Sequence, residues 1–281
     1  MLRTQHGLRI LGPSDVPAMA ELVARDPVVN VFVDYRSRIT QLDPRWLGGE
    51  MWGYVEDGEL VSACHAAANL VPVNATPEAI QAFAARGIRQ RRRAATIVGP
   101  ADAVAGLWGE LDRHWGVPRE LRWNQPHLEI GSAPRVAPDP DVRRTTAADL
   151  DALYPACVAM YTEEVGVSPE VGGGATMYRA RVAQLIGKGW SFARIDNGRV
   201  VFKAEVAAAS PYACQIQGVY VDPDRRGEGL AARGMAAVVE IALRDIAPVV
   251  SLYVNDHNVP AQRAYEKVGF EQTATFSTIM F

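Results

Sequence analysis

Hydrophobic positions along the chain follow two rhythms, and both occur twice. In the first half, Leu8 to Ile10 reads as a short strand, and Ser14-Asp15 as the cap of a helix running through Arg25. Met51 to Glu56 and Leu60 to Ala67 then flank Asp57-Gly58, a pair that favours the tight turn of a hairpin. In the second half, Val142-Arg143 leads to Asp149 and an amphipathic run through Met160, while Ser191 to Ile195 and Val200 to Ala207 flank Asn197-Gly198. Asp149 follows Asp15 by 134 positions and Asn197 follows Asp57 by 140, so the spacing predicts one α/β architecture used twice. Gly131 to Asp141, with Pro134, Pro138 and Pro140, reads as a stiff connector between the copies. The expected division is a first domain at 1–131, a linker at 132–141 and a second domain at 142–281.

The second half goes on to a strand, turn and helix whose chemistry the first half lacks. Gln215 to Val221 has strand character, and Leu230 to Ala247 is amphipathic over the length of a helix. Between them lie Arg225, Arg226, Gly227, Glu228 and Gly229. Two missing Cβ atoms permit close approach of the backbone, the amides entering a helix point outward, and two arginines add positive charge. That combination suits a phosphate or pyrophosphate. Gly227-x-Gly229-x-x-Ala232 also satisfies the dinucleotide fingerprint, but there the glycines close the strand directly and an acidic residue ends a second strand. Here Asp222 to Arg226 intervene, Asp245 falls before the next strand, and roughly fifty residues remain, too few for a doubly wound sheet. At the corresponding place the first half reads Val71 to Pro77, with neither arginine nor glycine, so the first copy is expected to keep the fold and lose the site.

Composition narrows the function classes. At 281 residues, 48% apolar and 22% charged, the chain can bury a core in each half. A net charge of −3 argues against a dedicated nucleic-acid binder. The cluster Arg86, Arg89 and Arg91 to Arg93 reads first as a solvated turn and second as a contact for phosphates or an acidic acceptor. No apolar run reaches the ~18 residues of a membrane span, since Glu240, Arg244 and Asp245 interrupt the longest candidate, and no signal-peptide segment is read at the start. Cys64, Cys157 and Cys214 are scattered, so neither a disulfide framework nor a metal site is expected. A cytoplasmic protein without metal, nucleic-acid or membrane partner is the expectation.

Further on, Leu252 to Val254 alternates as a strand, Asn258 suits a helix cap, and Gly269 suits the position just past a helix end. Taken together, Val219-Tyr220-Val221-x-Pro223, Arg226-x-x-Gly229-x-Ala231 and Asn258-x-x-Ala261-x-x-x-Tyr265-x-x-x-Gly269-Phe270 resemble the GNAT acyltransferase superfamily. The resemblance implies two tandem GNAT-like α/β domains, each a mixed, mostly antiparallel sheet flanked by helices, the second one catalytic. It implies acetyl-CoA as donor, with its pyrophosphate on the backbone of Arg225, Arg226, Gly227, Glu228, Gly229, Leu230 and Ala231. It implies a pantetheine arm lying along Val219, Tyr220 and Val221, where the strand splays from Ser251 to Val254, with Asn258 bonding the donor and Tyr265 protonating the departing thiolate. The acceptor implied is a primary amine, on a protein or a small molecule. Its base is less defined, because Gln215 and Gln217 stand where several family members carry a carboxylate; Glu205, Glu163 and Glu164 are the candidates. Cys214 and His257 read as a buried apolar residue and a solvated loop residue. A CoA-binding module without turnover is the alternative, against which the retained Tyr265 and Asn258 argue.

Overall fold

The computed structural model describes residues 7–281. Its elements run β1 (Gly7–Leu11), α1 (Val16–Val23), α2 (Val31–Thr40), α3 (Pro44–Leu47), β2 (Glu50–Glu56), β3 (Glu59–Ala66), β4 (Asn69–Val73), α4 (Pro77–Gln90), β5 (Thr96–Pro100), α5 (Ala101–Trp115) and β6 (Glu120–Ile130). They continue with β7 (Arg143–Arg144), α6 (Leu150–Val165), α7 (Ala175–Gly187), β8 (Ser191–Asp196), β9 (Arg199–Ala209), β10 (Cys214–Val221), α8 (Leu230–Asp245), β11 (Val250–Tyr253), α9 (Val259–Val268) and β12 (Glu271–Met280). One compact unit takes in residues 7–127, 253–257 and 272–281, the other residues 128–252 and 258–271. No helix among the described residues is long and apolar enough to cross a membrane.

Each unit is a mixed sheet flanked by helices. In the first, β1, β2, β3 and β4 pair antiparallel in turn, β5 joins β4 in parallel, and β12 closes antiparallel on β5. In the second, β7, β8, β9 and β10 are antiparallel neighbours and only β11 joins in parallel. The predicted hairpins are both present. Asp57 and Gly58 have φ of 52° and 90°, Asn197 and Gly198 of 51° and 79°, so the two central residues of each turn are left-handed, as the twist of a hairpin favours.

The duplication holds at the level of register. In the first hairpin Tyr54 faces Ser62 and Val55 faces Leu60, with the pairing irregular between them; in the second Arg194 faces Phe202 and Ile195 faces Val200, each 140 positions on, with the same irregularity. On this register His65 in the first unit occupies the place that Glu205 holds in the second. Helices cover both faces of each sheet. In the first unit Phe83, Leu107 and Leu111 pack on Trp52 and Ile97, and on the other face Met19 and Leu22 pack on Leu11 and Met51. In the second, Leu153, Cys157 and Val182 pack on Ala193 and Val200, while α8 covers β9 and β10.

Candidate active site

The strand β10 carries the site because it leaves its neighbour early. It pairs with β11 only at Cys214 with Val250 and Gln215 with Ser251, and burial falls away from Gln217 through Val221. Backbone groups of Val219 to Val221 on that side are therefore free of a parallel partner, as the sequence resemblance implied for a splayed strand. On the other side the register with β9 breaks between Gln217 and Tyr220, where Gly218 has a φ of 60°. A Cβ there would stand 3.0 Å from Met160 Cε and 3.2 Å from both Glu205 Cδ and Lys203 Nζ, so glycine is required for conformation and for space.

Below this bulge lies a polar cluster that sequence reasoning found only in part. Glu205 is 8% exposed; its Oε2 accepts from Lys203 Nζ at 3.0 Å and its Oε1 from Gln217 Nε2 at 3.0 Å. Lys203 is 1% exposed, and although burial opposes its charge, Glu205 and Cys157 turn the net shift of its pKa upward. The ammonium is thus held in place as an ion, which burial without a partner would not allow. Lys203 and Glu205 are two apart on one strand and share a face, a spacing that could have flagged the pair.

The turn after β10 is built to stay open at its tip. Asp222, 2% exposed, accepts from the amide of Asp224 at 3.1 Å and pairs with Arg199, which also reaches Asp224 at 2.8 Å. Arg225 folds back onto Glu228 and Asp196, and Arg226 donates to Val221 O at 3.2 Å and to Glu163 at 2.7 Å. Both arginines are thereby engaged with carboxylates. Gly227 and Gly229 have φ of 84° and 80°, and nothing lies within 4 Å of a Cβ built on either. Gly229 enters α8 with no side-chain cap, and the first helical bond runs from Arg233 N to Gly229 O at 3.2 Å. The amides of Leu230 and Ala231 come before that bond and are donors of the first helical turn at the positive end of the dipole.

The downstream motif folds as read. Asn258 Oδ1 accepts from Ala261 N at 3.3 Å at the start of α9, and Gly269, φ 112°, ends it. The helix packs on α8. Tyr265 is 6% exposed, its ring edge-on to Phe270 at 5.9 Å, and its hydroxyl makes no hydrogen bond to a described residue. Burial, and then the charge of Glu164, push the phenol upward, so it stays protonated. Cys214 is fully buried and burial pushes its thiol up to about 12, which leaves little thiolate for nucleophilic chemistry. His257 is exposed beside Asp256. Glu163 sits on the far side of Arg226 in an exposed pair.

Comparison with known proteins fits this geometry. Residues 184–270 match the Acetyltransferase (GNAT) family, and residues 49–153 match DUF4081, a domain of unknown function. The second unit therefore carries an acetyltransferase domain of the GNAT family. Over 74 residues the chain is 42% identical to a mycothiol acetyltransferase of Brachybacterium faecium, a match that spans 26% of this chain and 22% of that protein. Among solved structures, a tandem GNAT protein from the clavulanic acid biosynthesis pathway aligns over 98% of both chains with a TM-score of 0.57 and 14% identity. A GCN5-related N-acetyltransferase from Sphaerobacter thermophilus aligns over 97% of this chain and 95% of its own at 0.59 and 16%. Two tandem GNAT-like units are thus the fold of this chain.

Proposed function

We propose that the second unit transfers an acetyl group from acetyl-CoA to a primary amine, by direct attack in a ternary complex. The observation that carries this reading is the uncapped start of α8 behind two left-handed glycines, next to a strand with an unpaired edge. Amides from Arg226 to Ala231 grip the pyrophosphate, the pantetheine arm adds to β10 along Val219 to Val221, and Asn258 bonds the donor while it caps α9. An amide of the same strand polarises the thioester carbonyl. The amine nitrogen forms its bond to the carbonyl carbon as the carbon–sulfur bond breaks, and Tyr265 gives its phenolic proton to the departing thiolate. A phenol kept protonated by burial is suited to that step, because a thiolate of ordinary basicity, pKa about 8.5, needs a proton on leaving.

The amine's own proton passes toward Glu205, directly or through a water. Each carboxylate oxygen has two acceptor directions, and Lys203 and Gln217 take one on each. The test is acceptor-dependent release of free thiol from acetyl-CoA across a panel of amines, with donor binding followed by calorimetry. Release that requires an amine supports the enzyme. Donor uptake with no release from any amine supports the non-catalytic module, and absence of donor uptake overturns both.

A further inference from the structure

The first unit contains a cavity that the transferase reading leaves unused. It holds about 330 Å³ between β2, the start of β4 and the C-terminal ends of α4 and α5, and half of its lining residues are glycine or alanine. Trp52 and Trp115, both buried in the core, form apolar walls. Its polar lining groups are few: Glu50, Gln90, Arg91 and Arg93. Glu50 lines it, and Trp52 Nε1, Arg86 Nε, Arg86 NH2 and Gln90 Nε2 all donate to a single oxygen, Oε2, at 2.6–3.0 Å. The other oxygen, Oε1, accepts from no described residue, although these four donors fix the carboxylate and hold it ionised, its pKa lowered against the opposing pull of burial. Arg91 and Arg93 line the cavity and are exposed, and neither guanidinium has a partner among the described residues. Arg91 closes α4 through its backbone N–H, which donates to Ile88 O at 3.1 Å, and its guanidinium takes no part in that cap. Arg91 has φ 60° and ψ 165°, a conformation that belongs to glycine and costs of order 1–3 kcal/mol in other residues.

We infer that this cavity binds a small zwitterion, a molecule with an ammonium and a carboxylate separated by a short apolar body, as in a free amino acid. The ammonium donates to Glu50 Oε1, the apolar part lies between the two indoles, and the carboxylate meets Arg91 and Arg93. The site is separate from the transferase reading and stands if that reading fails. It is tested on the full chain by tryptophan fluorescence and thermal shift, with leucine, phenylalanine, lysine and aspartate as probes. Phenethylamine and 3-phenylpropionate, which lack one charge each, are the controls. Saturable quenching and a raised melting temperature are expected with at least one amino acid, at least tenfold weaker with either control. The double variant Arg91→Gly, Arg93→Ser should fold, since glycine suits the φ at 91, and lose the response. No response from the native chain, an equal response to the singly charged controls, or a response unchanged in the double variant would overturn the proposal.

Discussion

The starts of α4 and α8 occupy the same place in the two units and are finished in opposite ways. Thr76 caps α4 with its own hydroxyl, accepting from Ala79 N at 3.2 Å, Pro77 follows at the first helical position, and Glu78 puts a negative charge in the first turn. Gly229 offers α8 no cap, and no acidic residue lies in its first turn. The strands beside them behave alike, since β4 and β5 also pair over only two residues, Asn69 with Thr96 and Leu70 with Ile97. A splayed strand is therefore a property of the fold, and anion binding is a property of how the next helix begins. A helix whose cap hydroxyl already takes one of its first donors, with a carboxylate in the same turn, is disfavoured for a phosphate on both counts.

The contrast can be broken in four places. The largest effect is expected at His65, the counterpart of Glu205. Its ring is 3% exposed, neither nitrogen makes a hydrogen bond of good geometry, and burial, then the charge of Arg36, lowers its pKa to about 4 against the weaker pull of the Leu47 and Asn69 backbone. The unfolded chain binds that proton more tightly than the folded one. Stability is therefore complete above about pH 6.5, falls as pH drops toward 4, and has lost up to about 3 kcal/mol there. Urea unfolding of the native chain and of His65→Leu across this range should show a shallower pH slope in the variant. His127, lowered to about 4 by burial, leaves a slope of the same sign in both.

Next comes Tyr265→Phe, for which kcat should drop roughly hundredfold while calorimetric donor affinity stays level, the pattern of a lost proton donor. An unchanged kcat would remove Tyr265 from the mechanism. Gly229→Asp sets a carboxylate beside the first amides of α8, with backbone strain at a φ of 80°, and the donor dissociation constant should rise about tenfold, ~1.4 kcal/mol. The smallest effect is that of Thr76→Ala, which should cost about 1 kcal/mol in denaturant unfolding and leave donor affinity untouched. If this variant altered donor binding, the first unit would have to be given a part in it.

Reading the chain alone recovered what local chemistry dictates. Both hairpins followed from Asp57-Gly58 and Asn197-Gly198, since few other dipeptides accept two left-handed residues, and α9 followed from Asn258 and Gly269. The helix α2 went unread: Asn30 makes no side-chain cap, and Val31, Val33, Ile39 and Thr40 are β-branched residues that favour strands until tertiary packing decides. β6 was equally opaque, with Arg122, Asn124 and Gln125 in its middle and Pro126 inside the strand. At the site, the glycine turn was legible because its conformation is local. The direction of Arg225 and Arg226 was not, because Glu228 is near in sequence but Asp196 and Glu163 are not. Lys203 escaped notice for the same reason: its role depends on Cys157 of α6 and on Gln217 and Gly218 of β10, brought over it by two other segments.

One strand ties the order of synthesis to the order of folding. Phe276 to Met280 pair with Thr96 to Pro100, so the sheet of the first unit takes a strand made more than 150 residues later, once the whole second unit has been translated. Until then β5 waits on the ribosome with an open edge, and Ile97 lacks Ile279, its neighbour across the ladder and in the core. The nascent first unit is thus open to chaperones and to mispairing until β12 has been made and paired with β5.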